Sequence, residues 1–354
     1  MKPLLLYVNP TFQREEARVS PLMYPFWGDS SHKTVSFGGA FSQHQFDTSY
    51  YNVTDNPDMC DCHFLPFNFW GLQKKNPTRI SETVACAKQH NKPLLIDAFG
   101  DTMRPIDIPN SIVLRFAQYR RLLTDRDIII PAYIEDLLES SQNNVLTLRT
   151  KGAIPSIGFV GWASLSVGKH LRTYIKEGFI RARSLVFLKD GVFRKGIFLR
   201  REVLKKLSHS GGISTVFQTR SSYSGNTRTV EDDPAILRKE FIDNIVGTDY
   251  ALCVKGDANQ STRFYEALSL GRIPLVLDTE CVFPLENKIN YRAFCLFVDY
   301  ADRYTTAERV SAFHTEISQD SFQEMQKRAR ATFETYLRID SFTPFLVEEI
   351  RKRL

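Results

Sequence analysis

The amino-acid sequence predicts an α/β protein in which helices cover parallel sheets. Short apolar runs alternate with segments of helical periodicity, and no internal repeat of about 20 to 50 residues interrupts them. The chain of 354 residues is long enough for two such domains, each with its own core. The strand-like runs are Pro3 to Val8, Lys92 to Ala98, Ile128 to Ile130, Ile157 to Gly161, Ile213 to Thr219, Tyr250 to Lys255 and Pro274 to Asp278.

A domain boundary is predicted in the polar stretch of residues 140–155, because a new apolar strand begins directly after it. The first domain therefore covers residues 1–150 and the second covers residues 151–330. The strand signal ends at Val298, and only helical spacing follows. We expect residues 331–354 to form a C-terminal helical tail that packs back towards the first domain.

Composition and charge exclude several classes of protein. Hydrophobic residues make up 43% of the chain and charged residues 24%, as in globular proteins, and no run of about 18 apolar residues predicts a transmembrane segment. The N-terminal apolar run is too short for a signal peptide. We therefore expect a cytoplasmic protein with at most peripheral contact to a membrane. The net charge of +6 suits a phosphate-bearing substrate or a nucleic acid.

The sequence predicts neither a metal site nor another cofactor. The six cysteines contain no CxxC pair, which fits buried thiols in a reducing cytosol. Cys60, Cys62 and His63 are neighbours, but a zinc site needs a second group of ligands. Asp125 and Asp127 form an Asp-x-Asp pattern that precedes an apolar run instead of following one. We interpret that pattern as a solvated turn.

The segment from Tyr250 to Asp278 predicts one βαβ unit, with strand YALCVK, loop GDANQ, helix STRFYEALSL and strand IPLVLD. Gly271 ends the helix, so the N-terminus of the helix faces the carboxyl edge of the strands. Ligands bind at this edge in open α/β sheets, where helical N–H groups attract phosphate. Lys255, Ser261 and Arg263 are expected to gather there.

Arg263 and Glu266 are three residues apart and share one face of this helix. One interpretation is a cation and a hydrogen-bond acceptor placed together above the strand edge. The other is an intrahelical ion pair worth only a few tenths of a kcal/mol. In either case we expect Arg263 to face the surface, so that its removal leaves the fold intact.

The run TRFYEALSLGRIPLVLD resembles the donor-domain signature of exostosin-type glycosyltransferases. That signature is an apolar strand, a basic residue with Gly, a short loop, Ser-x-Arg-Phe-x-Glu-Ala-Leu, Gly-x-Ile-Pro and a second apolar strand. The matching residues are Lys255, Gly256, Ser261, Arg263, Phe264, Glu266, Ala267, Leu268, Gly271, Ile273 and Pro274. The resemblance is good over residues 201–286 and looser over residues 61–131. It implies the GT-B fold, in which two Rossmann-like domains face a cleft.

Three more residues are assigned to the donor site. Arg201 in the helix IFLRREVLKKL fits the family's Arg three residues before a Leu, with Arg200 as the alternative. A helix would place Arg201 on one stripe with Ile197, Leu204 and Ser208, unless it is a snorkelling surface arginine. Gly161 either allows a close backbone approach to a ligand or forms a plain tight turn. Arg220 follows a strand and would emerge near the same edge.

In the first domain, Asp101 follows a predicted strand and Gly100, as a general base for an acceptor hydroxyl would. Asp61 and Asp47 are competitors for this role. A turn-capping role for Asp101 is the other interpretation.

The resemblance implies a glycosyltransferase that moves a hexosyl or pentosyl group from a UDP- or GDP-linked nucleotide-sugar to a hydroxyl of an oligosaccharide or glycan acceptor. It also implies inversion at the anomeric carbon without a metal, because cations and helical N–H groups can stabilise the leaving diphosphate. Arg201, Lys255, Ser261 and Arg263 would supply this stabilisation, and Glu266 would accept hydrogen bonds from donor hydroxyls.

Three alternatives stay open. The first is a retaining GT-B transferase, and the second is a catalytically inactive protein that still binds a sugar nucleotide. The third is a nucleic-acid-binding protein. The basic residues are spread along the chain without a known binding motif, so no nucleic-acid partner is expected.

Overall fold

The computed structural model describes residues 2–13, 16–28, 40–164, 175, 178, 195–221 and 233–354. The chain falls into two compact units. The first unit comprises Met1–Asp136, Glu280–Ile289 and Thr332–Leu354, and the second comprises Leu137–Thr279 and Asn290–Ala331. Each unit contains one parallel sheet with helices, so the predicted α/β class with two Rossmann-like domains is confirmed.

The first unit is built on six parallel strands in the order β2-β1-β3-β4-β5-β6. The strands are β1 (Leu4–Tyr7), β2 (Tyr51–Thr54), β3 (Cys62–Asn68), β4 (Leu94–Asp97), β5 (Ser111–Arg115) and β6 (Asp127–Ile129). The helices of this unit with described bounds are α1 (Tyr24–Trp27), α2 (Phe69–Lys75), α3 (Pro77–Gln89) and the C-terminal α10 (Ile339–Arg351). Every residue of β4 and β5 is buried, because a parallel sheet has both faces covered.

The second unit contains five parallel strands in the order β11-β10-β9-β7-β8. The strands are β7 (Ser156–Trp162), β8 (Ser214–Arg220), β9 (Tyr250–Cys253), β10 (Ile273–Asp278) and β11 (Leu296–Asp299). The described helices of this unit are α4 (Leu137–Ser141), α5 (Gly196–Ser208), α6 (Pro234–Gly247), α7 (Thr262–Ser269), α8 (Thr306–Glu316) and α9 (Gln319–Thr332).

The strand order of the second sheet reverses between β7 and β9. After β7 the chain forms β8 on one side, and then returns to form β9 on the other side of β7. The following strands β10 and β11 continue outwards from β9. Connections therefore leave the carboxyl ends of β7 and β9 in opposite directions, which creates the crevice where open α/β sheets bind ligands. We call this place the switch point.

The βαβ unit predicted from residues 250–278 is present as β9, α7 and β10. Helix α7 ends before Gly271, which has the left-handed φ of +60°. A Cβ atom on Gly271 would lie 2.5 Å from Leu146 Cδ1 and 3.3 Å from the carbonyl oxygen of Gln326. Glycine is thus required here for both backbone conformation and space.

The C-terminal residues 332–354 belong to the first unit, as predicted. The backbone N–H of Asp47 donates to Thr343 Oγ1 over 3.0 Å, and Arg353 Nε donates to the carbonyl oxygen of Asp125 over 2.8 Å. These contacts fix α10 and the residues after it to the loops before β2 and β6. In the described part of the chain, no helix is both long and apolar enough to cross a membrane.

The polar stretch of residues 140–155 folds with the second unit, whose first residue is Leu137. Arg149 carries much of this attachment. Its Nε atom donates to Asp249 Oδ1 over 2.7 Å, and its backbone N–H donates to Gln326 Oε1 over 2.8 Å. The polar character of this stretch therefore reflects the hydrogen bonds that it forms with the rest of the second unit.

The interpretation of the Asp-x-Asp pattern as a solvated turn holds for Asp125, which is exposed in a turn, and is wrong for Asp127. Asp127 is buried at the start of β6 and forms an ion pair with the buried Arg115 at the end of β5. Its second carboxylate oxygen accepts hydrogen bonds from the N–H and hydroxyl groups of Thr124, over 2.9 and 2.8 Å. Because the partner Arg115 is twelve residues away in sequence, the local sequence pattern did not predict that Asp127 is buried.

His63 is a fully buried imidazole on β3, with its ring centroid 4.6 Å from the ring of Tyr7 and 5.8 Å from the ring of His90. Burial, with the nearby His90, lowers the pKa of His63 to about 4. Among the described residues, no group of three potential metal ligands that includes Cys60, Cys62 or His63 lies close enough to share an ion. His63 therefore acts as a neutral core residue.

We predict that His63 makes the first unit sensitive to acid. Its folded-state pKa lies below the unfolded value of about 6.5, so its contribution to stability is present above pH ~6.5 and is lost as pH falls towards 4. The loss amounts to at most about 3 kcal/mol. His63→Phe should flatten this part of the pH dependence of urea unfolding. The exposed His209→Gln is the control, and an unchanged acid loss in His63→Phe would contradict the prediction.

Candidate functional site

The candidate site lies at the switch point of the second sheet. Strand β7 ends there in Gly161 and Trp162, and β9 is followed there by Lys255 and Gly256. Helix α7 begins at the end of the loop that follows β9, with Ser261 as its N-cap residue. The structure thus brings most of the predicted donor-binding residues to one edge of one sheet.

Arg263 is buried, and the expectation that it faces the surface is wrong. Its side chain is only 9% exposed. Nη2 donates to the carbonyl oxygen of Val160, and Nη1 lies 3.5 Å from that of Leu252. The guanidinium also lies 4.2 Å from the ring centroid of Phe159. Burial lowers the pKa of Arg263. Arg263 therefore joins the carboxyl ends of β7 and β9 from inside the unit.

Gly161 makes room for this arginine. Its φ of +156° is one that side-chain-bearing residues rarely adopt, and a Cβ atom here would lie 3.0 Å from Arg263 Nη2. The observed close approach is thus between the glycine backbone and Arg263. Whether a ligand also approaches Gly161 stays a prediction.

We predict that Arg263→Ala destabilises the protein, contrary to the expectation of an intact fold. Removing the guanidinium leaves the carbonyl oxygens of Val160 and Leu252 without this donor, which should cost about 2–4 kcal/mol in the free energy of unfolding. Urea unfolding measures this change. The control is Arg238→Ala, whose side chain is 37% exposed and should cost less than about 1 kcal/mol. Equal effects would contradict the buried role.

Glu266 and Arg220 are both held by residues of α6. Glu266 Oε1 accepts a hydrogen bond from Arg238 Nη1 over 3.1 Å, so its ion-pair partner is not Arg263 as the intrahelical interpretation supposed. Arg220 lies at the end of β8, and its Nη2 donates to Glu240 Oε2 over 2.7 Å. Both residues lie near Arg263, since their charges act on its pKa.

The loop between β9 and α7 is held in shape by its own hydrogen bonds. The N–H of Gly256 donates to the carbonyl oxygen of Gln260 over 3.2 Å. The buried Asn259 donates to the carbonyl oxygen of Thr279 over 3.0 Å and accepts from the hydroxyl of the same residue over 2.6 Å. Sequence reasoning did not identify Asn259, although a polar residue in a loop at this edge could have been flagged. Lys255 is buried beside this loop.

Ser261 occupies the N-cap position of α7, but its side chain makes no capping hydrogen bond. This agrees with the absence of a capping-box partner three residues later in the sequence. The dipole of α7 and the N–H groups of its first turn point towards the loop. Such an arrangement can bind an anion.

On helix α5, the structure brings Arg200 to the switch point. Arg200 Nη1 donates to the carbonyl oxygen of Trp162 over 3.2 Å. Arg200 Nη2 lies 3.3 Å from the position that a Cβ atom on Gly256 would take. Arg201 is half-buried about 100° further round the helix, and its Nη1 has no hydrogen-bond partner among the described residues.

In the first unit, Asp101 lies in an exposed loop four residues after β4, which ends at Asp97. Asp61 and Asp47 precede β3 and β2. They therefore lie at the amino edge of this parallel sheet, opposite the edge where such sheets bind ligands. Asp101 thus follows the carboxyl end of β4 and Gly100, with three residues between it and Asp97, and its role as a base stays a prediction.

Asp97 is a buried carboxyl group at the carboxyl end of β4. Its oxygens accept hydrogen bonds from the hydroxyl of Ser20 over 2.5 Å and from the N–H of Phe99 over 2.8 Å. Burial raises the pKa of Asp97. Sequence reasoning missed this residue, although an aspartate that closes an apolar run is a visible signal. Both hydrogen bonds come from groups of the surrounding fold, as in a residue with a structural role.

No protein-family model matches the chain, and no curated protein matches it in sequence. Among solved structures, a glycosyltransferase from Rickettsia africae ESF-5 is 12% identical, with 77% of this chain and 73% of that chain covered and a TM-score of 0.35. Anabaena Alr3699/HepE, solved in complex with UDP-glucose, is 8% identical, with 99% of this chain and 100% of that chain covered and a TM-score of 0.35. Likeness of this degree does not indicate a shared function.

Proposed function

We propose that this protein is a glycosyltransferase that binds the diphosphate of a nucleotide-sugar donor at the switch point of its second sheet. The observation that supports it is the combination of the exostosin-like sequence with the geometry that this sequence forms. The matching residues make the strand ends, the glycine loop and the uncapped helix start that a phosphate site needs.

In the proposed reaction, an acceptor hydroxyl attacks the anomeric carbon of the donor sugar, and the bond to the nucleoside diphosphate breaks. The leaving diphosphate gains negative charge, which fixed cations and helical N–H groups stabilise. Lys255 and an arginine of α5 are the proposed cations, and the first turn of α7 supplies N–H groups. Glu266, held by Arg238, is proposed to accept hydrogen bonds from donor hydroxyls.

Arg263 has a positioning role in this proposal. Its contacts with Val160 and Leu252 fix the two strand ends between which the diphosphate would bind. Catalysis by fixed dipoles depends on such rigidity, because donors that need not reorganise stabilise charge better. Asp101 is the proposed general base, since its exposed carboxylate is accessible to an acceptor.

We predict that a nucleoside diphosphate raises the melting temperature of the protein. A ligand at 100 times its dissociation constant adds about 2.7 kcal/mol of stability. The measurement is a thermal-shift series with UDP, GDP, ADP and CDP, each also tested as the monophosphate. UDP or GDP should give the largest shift, and the monophosphate should give less. If no nucleotide changes the melting temperature, the proposed donor site is wrong.

We predict an inverting reaction that continues in EDTA. When water serves as acceptor, ¹H NMR of a turnover mixture identifies the anomer of the released sugar before mutarotation. Inversion is expected because the proposed mechanism has one displacement and no covalent intermediate. Release of the donor's own anomer would favour the retaining alternative, and loss of turnover in EDTA would contradict metal independence.

A catalytically inactive sugar-nucleotide-binding protein is the second candidate function. The observation that favours it is the structural character of Asp97 and the distance of Asp101 from the strand end, which leave the first unit without a firmly placed base. A nucleotide-sugar that binds without any turnover, including hydrolysis, would support this candidate over the transferase.

A further inference from the structure

We infer that this chain self-associates through helix α9, with two copies of the helix lying antiparallel to each other around a two-fold axis. The partner that fits this surface is therefore a second copy of the chain. The inference is independent of the proposed function, because the surface and the switch point lie at opposite ends of the second sheet.

The surface is an open groove of about 640 Å³ in the second unit. Its lining comes from the turn before β11, the end of α8 and the exposed side of α9, and includes Arg292, Ala293, Phe313, Ile317, Asp320 and Met325. The ring of Phe313 lies 6.3 Å from the ring of Tyr250, the first residue of β9. The groove is thus at the end of the sheet where the strands begin, whereas the switch point is where β7 and β9 end.

The charges on the exposed side of α9 are separated along the helix. Asp320 and Glu324 are exposed in its first half, and Lys327 and Arg328 are exposed in its second half. Spacings of three and four residues bring these side chains to one side of the helix. The surface therefore has an acidic end and a basic end, and the helix rises about 12 Å from Asp320 to Arg328.

These charges are available to a partner molecule. Among the described residues, the side chains of Asp320 and Lys327 have neither a hydrogen bond nor an ion pair. Glu324 accepts from Arg328 over 3.0 Å, but the two side chains are 49% and 56% exposed. An exposed pair of this kind contributes little to stability, so exchanging it for a pair with another molecule costs little.

The order of the charges restricts the kind of partner. A surface with cations alone would favour a phosphate polymer or an anionic membrane, which the carboxylates of Asp320 and Glu324 would repel. The complementary surface needs a basic end opposite these carboxylates and an acidic end opposite Lys327 and Arg328. A two-fold axis across α9 produces that surface from a second copy of the same helix.

The groove also offers apolar contacts beside the charges. Ala293, Phe313 and Ile317 are half-buried, and a facing copy would cover their exposed parts. The guanidinium of Arg292 lies 4.8 Å from the ring centroid of Phe297 and adds a cation to the wall of the groove. Because the contact is small and partly polar, we expect a weak dimer with a dissociation constant on the order of 10–100 µM.

Sedimentation velocity of the full chain over a series of concentrations measures this association. Reversing the acidic end with Asp320→Lys and Glu324→Lys should weaken the dimer at least about tenfold, because like charges then face each other. Reversing the basic end with Lys327→Glu and Arg328→Glu should have the same effect. An equimolar mixture of the two variants should associate at least as tightly as the wild type, since all facing charges are then opposite in sign.

The control is Lys74→Glu with Lys75→Glu, two exposed residues of α2 outside the groove, which changes the net charge as much as the basic-end variant does. It should leave the dimer unchanged, and an equal loss in this control would overturn the inference. A wild type that stays monomeric at several hundred micromolar would also overturn it, as would a dimer that neither reversal weakens.

Recovery in the mixture is the outcome that only the antiparallel arrangement predicts. If both reversal variants lose the dimer and their mixture does not regain it, the inference is wrong. Circular dichroism checks that each variant is folded. If a double variant unfolds, Asp320→Lys and Lys327→Glu alone, measured separately and mixed, give the same decision.

Discussion

The architecture of the candidate site depends on the buried guanidinium of Arg263. It contacts the carbonyl oxygens of Val160 and Leu252, one on each of the two strands between which the order of the second sheet reverses. The rings of Phe159 and Phe241 enclose it, at 4.2 and 5.2 Å. A buried polar group without a partner is costly, so these contacts oppose any change in the spacing of the strand ends. The crevice is consequently a fixed feature of the fold.

Two glycines allow this arrangement, because a Cβ atom at either position would contact a neighbouring side chain or backbone atom too closely. Gly161 leaves space for Arg263, and Gly196 lets α5 lie against the loop after β9. The same loop is tied to the end of β10 through Asn259 and Thr279. Helices α5 and α7 and strands β9 and β10 are thereby held around Gly256. Preorganised donors of this kind are what a reaction with a developing diphosphate charge requires.

Much of this could be predicted from the sequence, because the βαβ unit over residues 250–278 has strong local signals at each boundary. The errors concern side-chain direction. Arg263 is in the first turn of a short helix that lies over the strand ends, where a cation can turn inward as easily as outward. On α5, residues 196–199 are all buried and Arg200 and Arg201 are both half-buried, so the choice between these two arginines stays a prediction.

The first unit was harder to predict for a different reason. Its strands β2 and β4 contain only four residues each, and short apolar runs have boundaries that pattern alone does not fix. The predicted strand Lys92 to Ala98 contains β4 and exceeds it by two residues at one end and one residue at the other. The ion pair between Arg115 and Asp127 joins two strands, so no local pattern contains it.

Amide hydrogen exchange with and without UDP or GDP tests the central claim most directly, because it locates the bound nucleotide on the chain. The account predicts protection confined to the loop from Lys255 to Ser261, the first turn of α7, and the start of α5 around Gly196 to Arg200. Nucleotide binding with protection elsewhere, and none at these backbone N–H groups, would contradict it.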